Sequence, residues 1–323
     1  MISPFLKLWF NVIRNSISTL KRQSYLKIAF VLLCSIIFLV VEFLISYRAF
    51  LFIRDFPGVG SIVSERLLFL FYFALFLMLI FSNAIIAYAT LFRSKDTELL
   101  FTYPINETNI FRYKFLEGIV LSSWAFLMLL VPFMMSFGMA NNADVRLYPF
   151  LILLFIPFLI LASSIGSGFT LLLARIMPRK RLKGITIFIG ISAVFFIYLA
   201  MKKIRVEEPS QTLEIFILNK ILPDFRMSYS PFLPSYWMVK GILSSSRGLF
   251  QASFFYFLLL LSSALFFTEI LMRFASRSYL NAWVEMRSRT KEKLFILHKG
   301  IIEKLRPIFG IFGRDICGLV TKD

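Results

Sequence analysis

Few residues of this chain could do chemistry. His298 is the only histidine, and because no second histidine or cysteine stands at metal-ligand spacing from it, a surface histidine is favoured over a ligand. Cys34 and Cys317 are far apart and form neither a redox nor a zinc motif. Gly58-Val59-Gly60 lacks the Gly-Lys-Ser/Thr of a phosphate loop. We therefore predict no catalytic residues, no metal, no cofactor and no enzymatic activity in this chain.

Two acidic residues, Glu42 and Glu269, fall inside long apolar runs. A carboxylate within a membrane is a candidate for a transport pathway or a buried pair. The alternative is that each acid snorkels or pairs locally, because Glu269 precedes Arg273 by one helical turn near one end of its span and Glu42 lies shortly before Arg48 near the end of its own. We favour this alternative and keep both acids as candidate intramembrane polar sites.

The most informative segment is the loop 92–109. Ser94 can cap a helix whose first turn holds Asp96 and Glu98, which the positive end of the helix dipole favours. Pro104 stops this helix after about two turns. The loop therefore predicts a short surface helix between two apolar runs; the alternative is a simple helical connector.

A second helix is predicted to begin just after the short one, with Asn106 or Thr108 as its cap. We expect the acids and leucines of the short helix to project away from the rest of the protein, namely Asp96, Glu98, Leu99 and Leu100.

The composition defines the elements that must hold these residues. Of 323 residues, 59% are apolar and 17% are charged, whereas soluble proteins carry about 25% charged residues. This excludes a single soluble core and a disordered chain, and two cysteines exclude a disulfide scaffold. The remaining class is an all-α, polytopic membrane protein.

Six apolar stretches are long enough to be transmembrane helices. They are Ile28–Tyr47, Leu67–Leu91, Ile119–Met139, Tyr148–Leu173, Ile185–Met201 and Leu249–Met272. We predict an amphipathic interfacial helix at 1–26, a six-helix transmembrane domain at 27–272, and a basic tail at 273–323. The tail is expected to contain a second interfacial helix, interrupted at Pro307.

The basic residues predict the topology of the six spans. One side of the membrane collects 25 Lys and Arg and the other 11, so the positive-inside rule places both termini and the loop 92–109 in the cytoplasm. The segment 202–248 is then external. The net charge of +18 is explained by this rule and by contact with membrane lipids, and no nucleic-acid-binding motif accompanies it. We predict no nucleic-acid partner.

Two short motifs carry a family resemblance. Ser94-Lys95-Asp96, Glu98-Leu99-Leu100 and Tyr103-Pro104-Ile105 resemble the SKDxELLxxxPI stretch of permease subunits of type-2 ATP-binding-cassette exporters, in particular a large bacterial group. Leu233-Pro234-Ser235-Tyr236-Trp237 resembles the external LPSxW motif before the sixth span of the same proteins. The resemblance covers most of the chain.

The resemblance implies a membrane-spanning permease subunit in the bacterial cytoplasmic (inner) membrane. A separate ATPase subunit would supply the phosphate loop, and the loop 92–109 would be its docking element. Asp96, Glu98, Leu99 and Leu100 are then the residues expected to couple the two subunits. Many relatives look like two such halves in one polypeptide, so the resemblance implies an N-terminal half, a split gene product or a fragment, pairing with a second half or another copy.

Two other classes of function are weighed against the exporter. A membrane-embedded lipid-modifying enzyme would need His, Asp, Glu or Arg groups converging near one interface, and the scarcity of histidine and acids argues against it. A non-transporting membrane assembly protein would tolerate loss of the short helix. Of these three classes of function, only the exporter requires a bound ATPase.

Overall fold

The computed structural model of this chain describes residues 25–55, 60–176 and 226–309, with 287–309 described by backbone alone. All regular elements in these ranges are helical, and the described residues contain no strand. The predicted all-α fold is confirmed. The predicted fifth span, Ile185–Met201, and nearly all of the predicted interfacial helix at 1–26 lie outside the described residues.

The described ranges form seven α-helices. They are α1 (Tyr25–Arg54), α2 (Gly60–Tyr88), α3 (Lys95–Thr102), α4 (Glu107–Ala140), α5 (Leu147–Ile176), α6 (Pro234–Ser246) and α7 (Phe250–Phe309). A π-helical turn, Ala89–Arg93, directly follows α2, and a 3-10 turn, Arg226–Tyr229, precedes α6.

Five of these helices, α1, α2, α4, α5 and α7, are long and apolar enough to cross a membrane. The shortest of their apolar stretches has 29 residues, which at 1.5 Å per residue is longer than the roughly 30 Å of a bilayer core. A helix suits such a segment because it satisfies every backbone polar group internally. The first four predicted spans and the sixth are thus confirmed as long apolar helices.

The contacts define two ends of the bundle. At the near end, α3 contacts the π-helical turn that follows α2 and Tyr279 of α7, and the last turn of α5 contacts Ser278 of α7. At the far end, Arg54 of α1 donates to the Ala140 carbonyl of α4 at 2.8 Å, and the first turns of α2, α5 and α7 meet α6. Helices α2, α5 and α7 therefore all run from the far end to the near end.

The last turn of α5 and the residues just before α6 lie at opposite ends of the bundle. Arg175, in the last turn of α5, donates to the Ser278 hydroxyl at the near end at 3.0 Å. Tyr229, just before α6, packs on Phe69 at the far end with ring centroids 4.6 Å apart. The predicted fifth span falls within this interval.

Small residues allow α2 and α5 to pack closely. A Cβ at Gly166 would lie 2.5 Å from the Ile80 carbonyl oxygen, so no larger residue fits at this position. One turn later, Thr170 Oγ1 donates to the Ala84 carbonyl at 2.8 Å. These contacts join two apolar helices through backbone approach and a hydrogen bond, as is common between membrane helices.

Helix α7 continues without a break from Phe250 to Phe309, through the predicted boundary between the transmembrane domain and the tail. Buried residues recur with helical spacing beyond Met272 and keep this part of α7 packed against the near end: Ala275, Ser278, Tyr279, Ala282 and Met286. The predicted interruption of the tail helix at Pro307 is wrong, since Pro307 lies within α7.

Candidate functional site

The short helix predicted in the loop 92–109 is present as α3. Ser94 precedes it in an extended conformation (φ −70°, ψ 132°), and Asp96 and Glu98 lie in its first turn. The Ser94 side chain makes no capping hydrogen bond, so the predicted side-chain cap is wrong; the acids are the favourable partners of the positive dipole end instead. Pro104 follows the helix and prevents its extension.

The start of α4 agrees with one of the two predicted caps. Asn106 precedes the helix in an extended conformation, and its Oδ1 accepts a hydrogen bond from the Thr108 backbone N–H at 3.0 Å. This cap separates α3 from α4, so the two helices meet at a sharp turn.

The two faces of α3 differ in what they contact. Thr97 is fully buried. Leu100 and Phe101 pack against the near-end apolar cluster, a group of buried side chains that includes Phe111 and Tyr279. Asp96 is exposed and Leu99 is 60% exposed. The expectation that all four candidate coupling residues project away from the bundle therefore holds for Asp96 and Leu99. It is wrong for Leu100, because helical periodicity places Leu100 on the same side as Thr97.

Glu98 differs from Asp96 although both lie in the first turn of α3. Its side chain is half-buried, whereas that of Asp96 is exposed. Of the four predicted coupling residues, Asp96 and Leu99 are therefore the two that are exposed.

Hydrogen bonds from two elements reach the π-helical turn at the end of α2. Thr97 Oγ1, on α3, donates to the Thr90 carbonyl at 2.8 Å. The Tyr279 hydroxyl, on α7, donates to the Leu91 carbonyl at 3.2 Å. Terminal carbonyls of a helix have no intrahelical donor, so these side chains satisfy groups that would otherwise be buried without a partner.

Aromatic rings surround Tyr279 at the near end. Its ring centroid lies 5.6 Å from that of Phe101 on α3, 5.4 Å from Phe111 on α4 and 6.1 Å from Phe92 in the π-helical turn. One turn further along α7, Trp283 lies 4.4 Å from Phe101. The sequence interpretation did not include Tyr279 or Trp283. Their spacing of four residues, in phase with the apolar positions of α7, was the available signal.

A partly buried ion pair lies on α4 at the same end. Lys114 is 1% exposed, and its Nζ donates to Glu117 Oε2 at 2.7 Å. The spacing of three residues places both on one face of the helix. This pair was not among the predicted sites, although Lys-x-x-Glu within a helix predicts such a contact. It neutralises a lysine that would be costly to bury alone.

The two intramembrane acids differ from each other. Glu269 pairs with Arg273 at 2.8 Å, and both side chains are exposed, so local pairing is confirmed. Glu42 is half-buried on α1, and its Oε2 has no hydrogen-bond partner. Pairing of Glu42 with Arg48, one of the two local alternatives, is not favoured by the helix, because a separation of six residues places the two side chains on different faces. Glu42 thus remains a candidate polar site, and Glu269 is explained by its ion pair.

The described residues contain no group of three His, Cys, Asp or Glu side chains that could hold a metal ion. His298 lies in the part of α7 described by backbone alone.

Together the long apolar helices and the small surface helix define an all-helical protein with the architecture of a multi-pass membrane protein. The family model described as "Putative ATP-binding cassette" matches residues 19–323, so the chain belongs to this family. No curated protein and no solved structure matches the chain. The relation to ATP-binding-cassette proteins is therefore established at the level of the family.

Proposed function

We propose that this chain is the membrane-spanning permease subunit of an ATP-driven exporter in the bacterial cytoplasmic membrane, and that α3 docks a separate ATPase subunit. The observation that carries the proposal is the two-sided character of α3. One face is fixed to the bundle through Thr97, Leu100 and Phe101, while Asp96 and Leu99 face outward. A helix held in this way can bind a partner on one face while the other face stays attached to the bundle.

The ATPase is assigned to another chain for two reasons. Five long apolar helices account for most of the described residues, which suits a membrane subunit better than a nucleotide-binding domain. The sequence also carries no Gly-x-x-x-x-Gly-Lys-Ser/Thr segment to cradle phosphates. Membership of an ATP-binding-cassette family supports the presence of an ATPase in the same assembly.

The proposed orientation places the near end in the cytoplasm. It is supported by the division of basic residues, 25 on the near side and 11 on the far side of the six predicted spans. A cytoplasmic near end gives α3 access to an ATPase and to ATP. Two permease units, either a second half or another copy of this chain, would then pair around the transported substrate.

The proposed mechanism requires no covalent chemistry in this chain. Nucleotide binding and hydrolysis in the ATPase would displace α3, and the spans joined to α3 would change their tilt between inward-open and outward-open arrangements. Asp96 would contact basic groups of the ATPase, and Leu99 would fill an apolar groove.

The double variant Asp96→Ala/Leu99→Ala tests the docking role. If each side chain contributes about 1 to 2 kcal/mol, the variant should bind the ATPase roughly 30- to 900-fold more weakly. The measurement is the affinity of the purified, phosphate-loop-containing ATPase for the full-length chain in lipid nanodiscs, together with stimulated ATP hydrolysis. Stability should be unchanged, because both side chains are exposed.

A matched control lies at the far end of the bundle. Asp144 and Val145 are also an exposed acid and an exposed apolar residue. The variant Asp144→Ala/Val145→Ala should bind the ATPase as the wild type does. Equal binding by the wild type and the Asp96/Leu99 variant would remove the docking role, and ATP hydrolysis by the purified chain alone would contradict the division of labour between two chains.

A further inference from the structure

The junction between α2 and α3 is a place where a helix changes its hydrogen bonding. After Tyr88 the α-helix widens into the π-helical turn Ala89–Arg93, and Ser94 is extended. Such π-helical turns are rare and occur often at functional sites, because the widened turn leaves carbonyls for other donors. Here the two carbonyls that accept outside donors belong to consecutive residues, Thr90 and Leu91.

The two donors belong to different helices, and both contacts are shielded from solvent. Thr97, on α3, is 0% exposed, and Tyr279, on α7, is 1% exposed. Breaking either hydrogen bond would leave a buried polar group without a partner. The end of α2 is thus tied at one carbonyl to the short helix and at the next to the last long helix.

The same tyrosine also contacts α3 through its ring. Tyr279 and Trp283 both contact Phe101, with ring centroids 5.6 Å and 4.4 Å apart. Phe101 follows Thr97 by one turn. The buried face of α3 is therefore fixed at two successive turns, first by the hydrogen bond of Thr97 to the end of α2 and then by the ring contacts of Phe101 with α7. Aromatic pairs of this kind resist displacement because their geometry is directional.

Helix α7 continues from these rings to the far end of the bundle without interruption. Along the way the Thr268 and Ser164 hydroxyls lie 2.8 Å apart, which joins α7 to α5. Phe250, in the first turn of α7, stacks on Phe150 of α5 at the far end with ring centroids 5.5 Å apart. Because α7 is continuous and packed along this length, a displacement of its near end can be transmitted to its far end.

We propose that Tyr279 and Trp283 form a clamp that transmits movement of α3 to α7, with Tyr279 as the positioning residue that fixes α7 to the end of α2. This inference rests on the proposed docking of an ATPase to α3. Neither residue touches the ATPase in this scheme, so their loss should reduce both the movement of the spans and the stimulation of hydrolysis that depends on that movement, while ATPase binding persists.

The test uses the full-length chain in lipid nanodiscs with its ATPase. Spin labels are placed on cysteines introduced at Ile62 and Gln251, exposed positions at the far ends of α2 and α7. The background carries Cys34→Ser and Cys317→Ser. Distance distributions are recorded with and without a non-hydrolysable ATP analogue, in parallel with ATPase affinity and stimulated hydrolysis.

Tyr279→Phe removes one hydroxyl and keeps the ring. We expect unchanged ATPase affinity, a loss of roughly fivefold in stimulated hydrolysis, the size associated with one neutral hydrogen bond, and a smaller nucleotide-dependent distance change. Trp283→Ala should have a larger effect, and Trp283→Phe, which keeps a ring beside Phe101, should restore coupling. Amide exchange of 89–102 in the isolated chain should rise in Tyr279→Phe.

Phe50→Ala is the control for general destabilisation, because it removes a buried ring contact with Phe133, between α1 and α4, that lies outside the path along α7. It should lower thermal stability without the loss of stimulation seen in Trp283→Ala. If Phe50→Ala and Trp283→Ala lose stimulation equally, or if Trp283→Phe fails to restore it, the clamp is a packing contact and the proposal is overturned.

The remaining outcomes separate this proposal from the docking role. If the ATPase binds and is stimulated equally by the wild type, Tyr279→Phe and Trp283→Ala, only the clamp is overturned. If Tyr279→Phe weakens ATPase binding as much as Asp96→Ala/Leu99→Ala does, the clamp is again overturned, because Tyr279 then acts in docking. If no ATPase binds the wild-type chain, docking and clamp are both overturned.

Discussion

The short helices α3 and α6 lie at opposite ends of the bundle and differ in how much of each is covered. In α3 one residue, Thr97, is buried among 8. In α6, with 13 residues, the buried positions are Ser235, Met238, Val239, Gly241, Ile242, Leu243 and Ser245. A helix covered on most sides serves the fold, whereas one fixed by a single face keeps another face for a partner.

The two helices also differ in the chemistry that holds them. Lys240 of α6 and Arg247, which directly follows α6, both donate to Glu65 of α2, at 3.0 and 3.3 Å, and Lys240 Nζ lies 5.6 Å from the Tyr229 ring centroid. In contrast, α3 is fixed by a neutral hydroxyl at Thr97 and by apolar and aromatic side chains. Salt and pH should therefore affect the attachment of α6 more than that of α3.

The largest effect is expected from overpacking α6. A Cβ at Gly241 would lie 2.8 Å from Leu154 Cδ1, and Leu154 is fully buried. Gly241→Val should lower the free energy of unfolding by about 3 kcal/mol, whereas Leu99→Ala on α3 should change it by no more than about 0.5 kcal/mol. Thermal unfolding in detergent measures both.

Gly118→Ala serves as the control for this comparison, because the nearest atom to its new Cβ, Ile86 Cγ2, would be 3.9 Å away. This variant should be neutral or stabilising, since alanine favours the helix. A wild-type unfolding temperature in Gly241→Val, or a large loss in Leu99→Ala, would contradict the division into a structural and a presenting helix.

A smaller effect is expected from Glu65→Gln. It removes the charge that Lys240 and Arg247 share, at a cost of about 1 kcal/mol because Arg247 is largely exposed. The stability difference from the wild type should shrink as the salt concentration rises. Asp144→Asn, at an exposed ion pair of 4.0 Å, should be indistinguishable from the wild type. A difference that does not respond to salt would show that the charge of Glu65 is unimportant.

The smallest effect concerns the protonation of Lys240. Burial lowers the pKa of Lys240, but the hydrogen bond and charge of Glu65, with smaller effects of Tyr229 and Tyr236, raise it to above its usual 10.5. The pKa of Lys240 is therefore higher in the folded state than in the unfolded chain. The charged Lys240 contributes its full stabilisation below about pH 10.5, and this contribution is lost as the pH rises through the folded-state pKa.

The measurement is the difference in unfolding temperature between the wild type and Lys240→Met as the pH is raised. The difference should be constant at neutral pH and should narrow above about pH 10.5. Burial also raises the pKa of the neighbouring Tyr236, so both proteins are compared again with Tyr236→Phe. The stabilising role of the ion pair with Glu65 would be contradicted if the difference in unfolding temperature narrowed already near neutral pH, or if it persisted at the highest pH.

The sequence by itself determined the elements of this protein. Long apolar runs specify helices because only a helix satisfies its own backbone within lipid, and five of the predicted spans are found in the described residues. The bounds of α3 were also predictable, since Pro104 and the acids of the first turn act on their neighbours in the chain. Such effects reach only a few residues along the sequence.

The tertiary structure decided which elements meet. The hydrogen bond from Tyr279 to the Leu91 carbonyl joins residues 188 positions apart, and that from Lys240 to Glu65 spans 175. Neither local propensity nor periodicity names a partner at that distance, because many apolar faces of similar width can pack together. For the same reason Leu100 was wrongly predicted to lie on the outer face of α3. The near-end apolar cluster that it contacts is built largely from helices far along the chain.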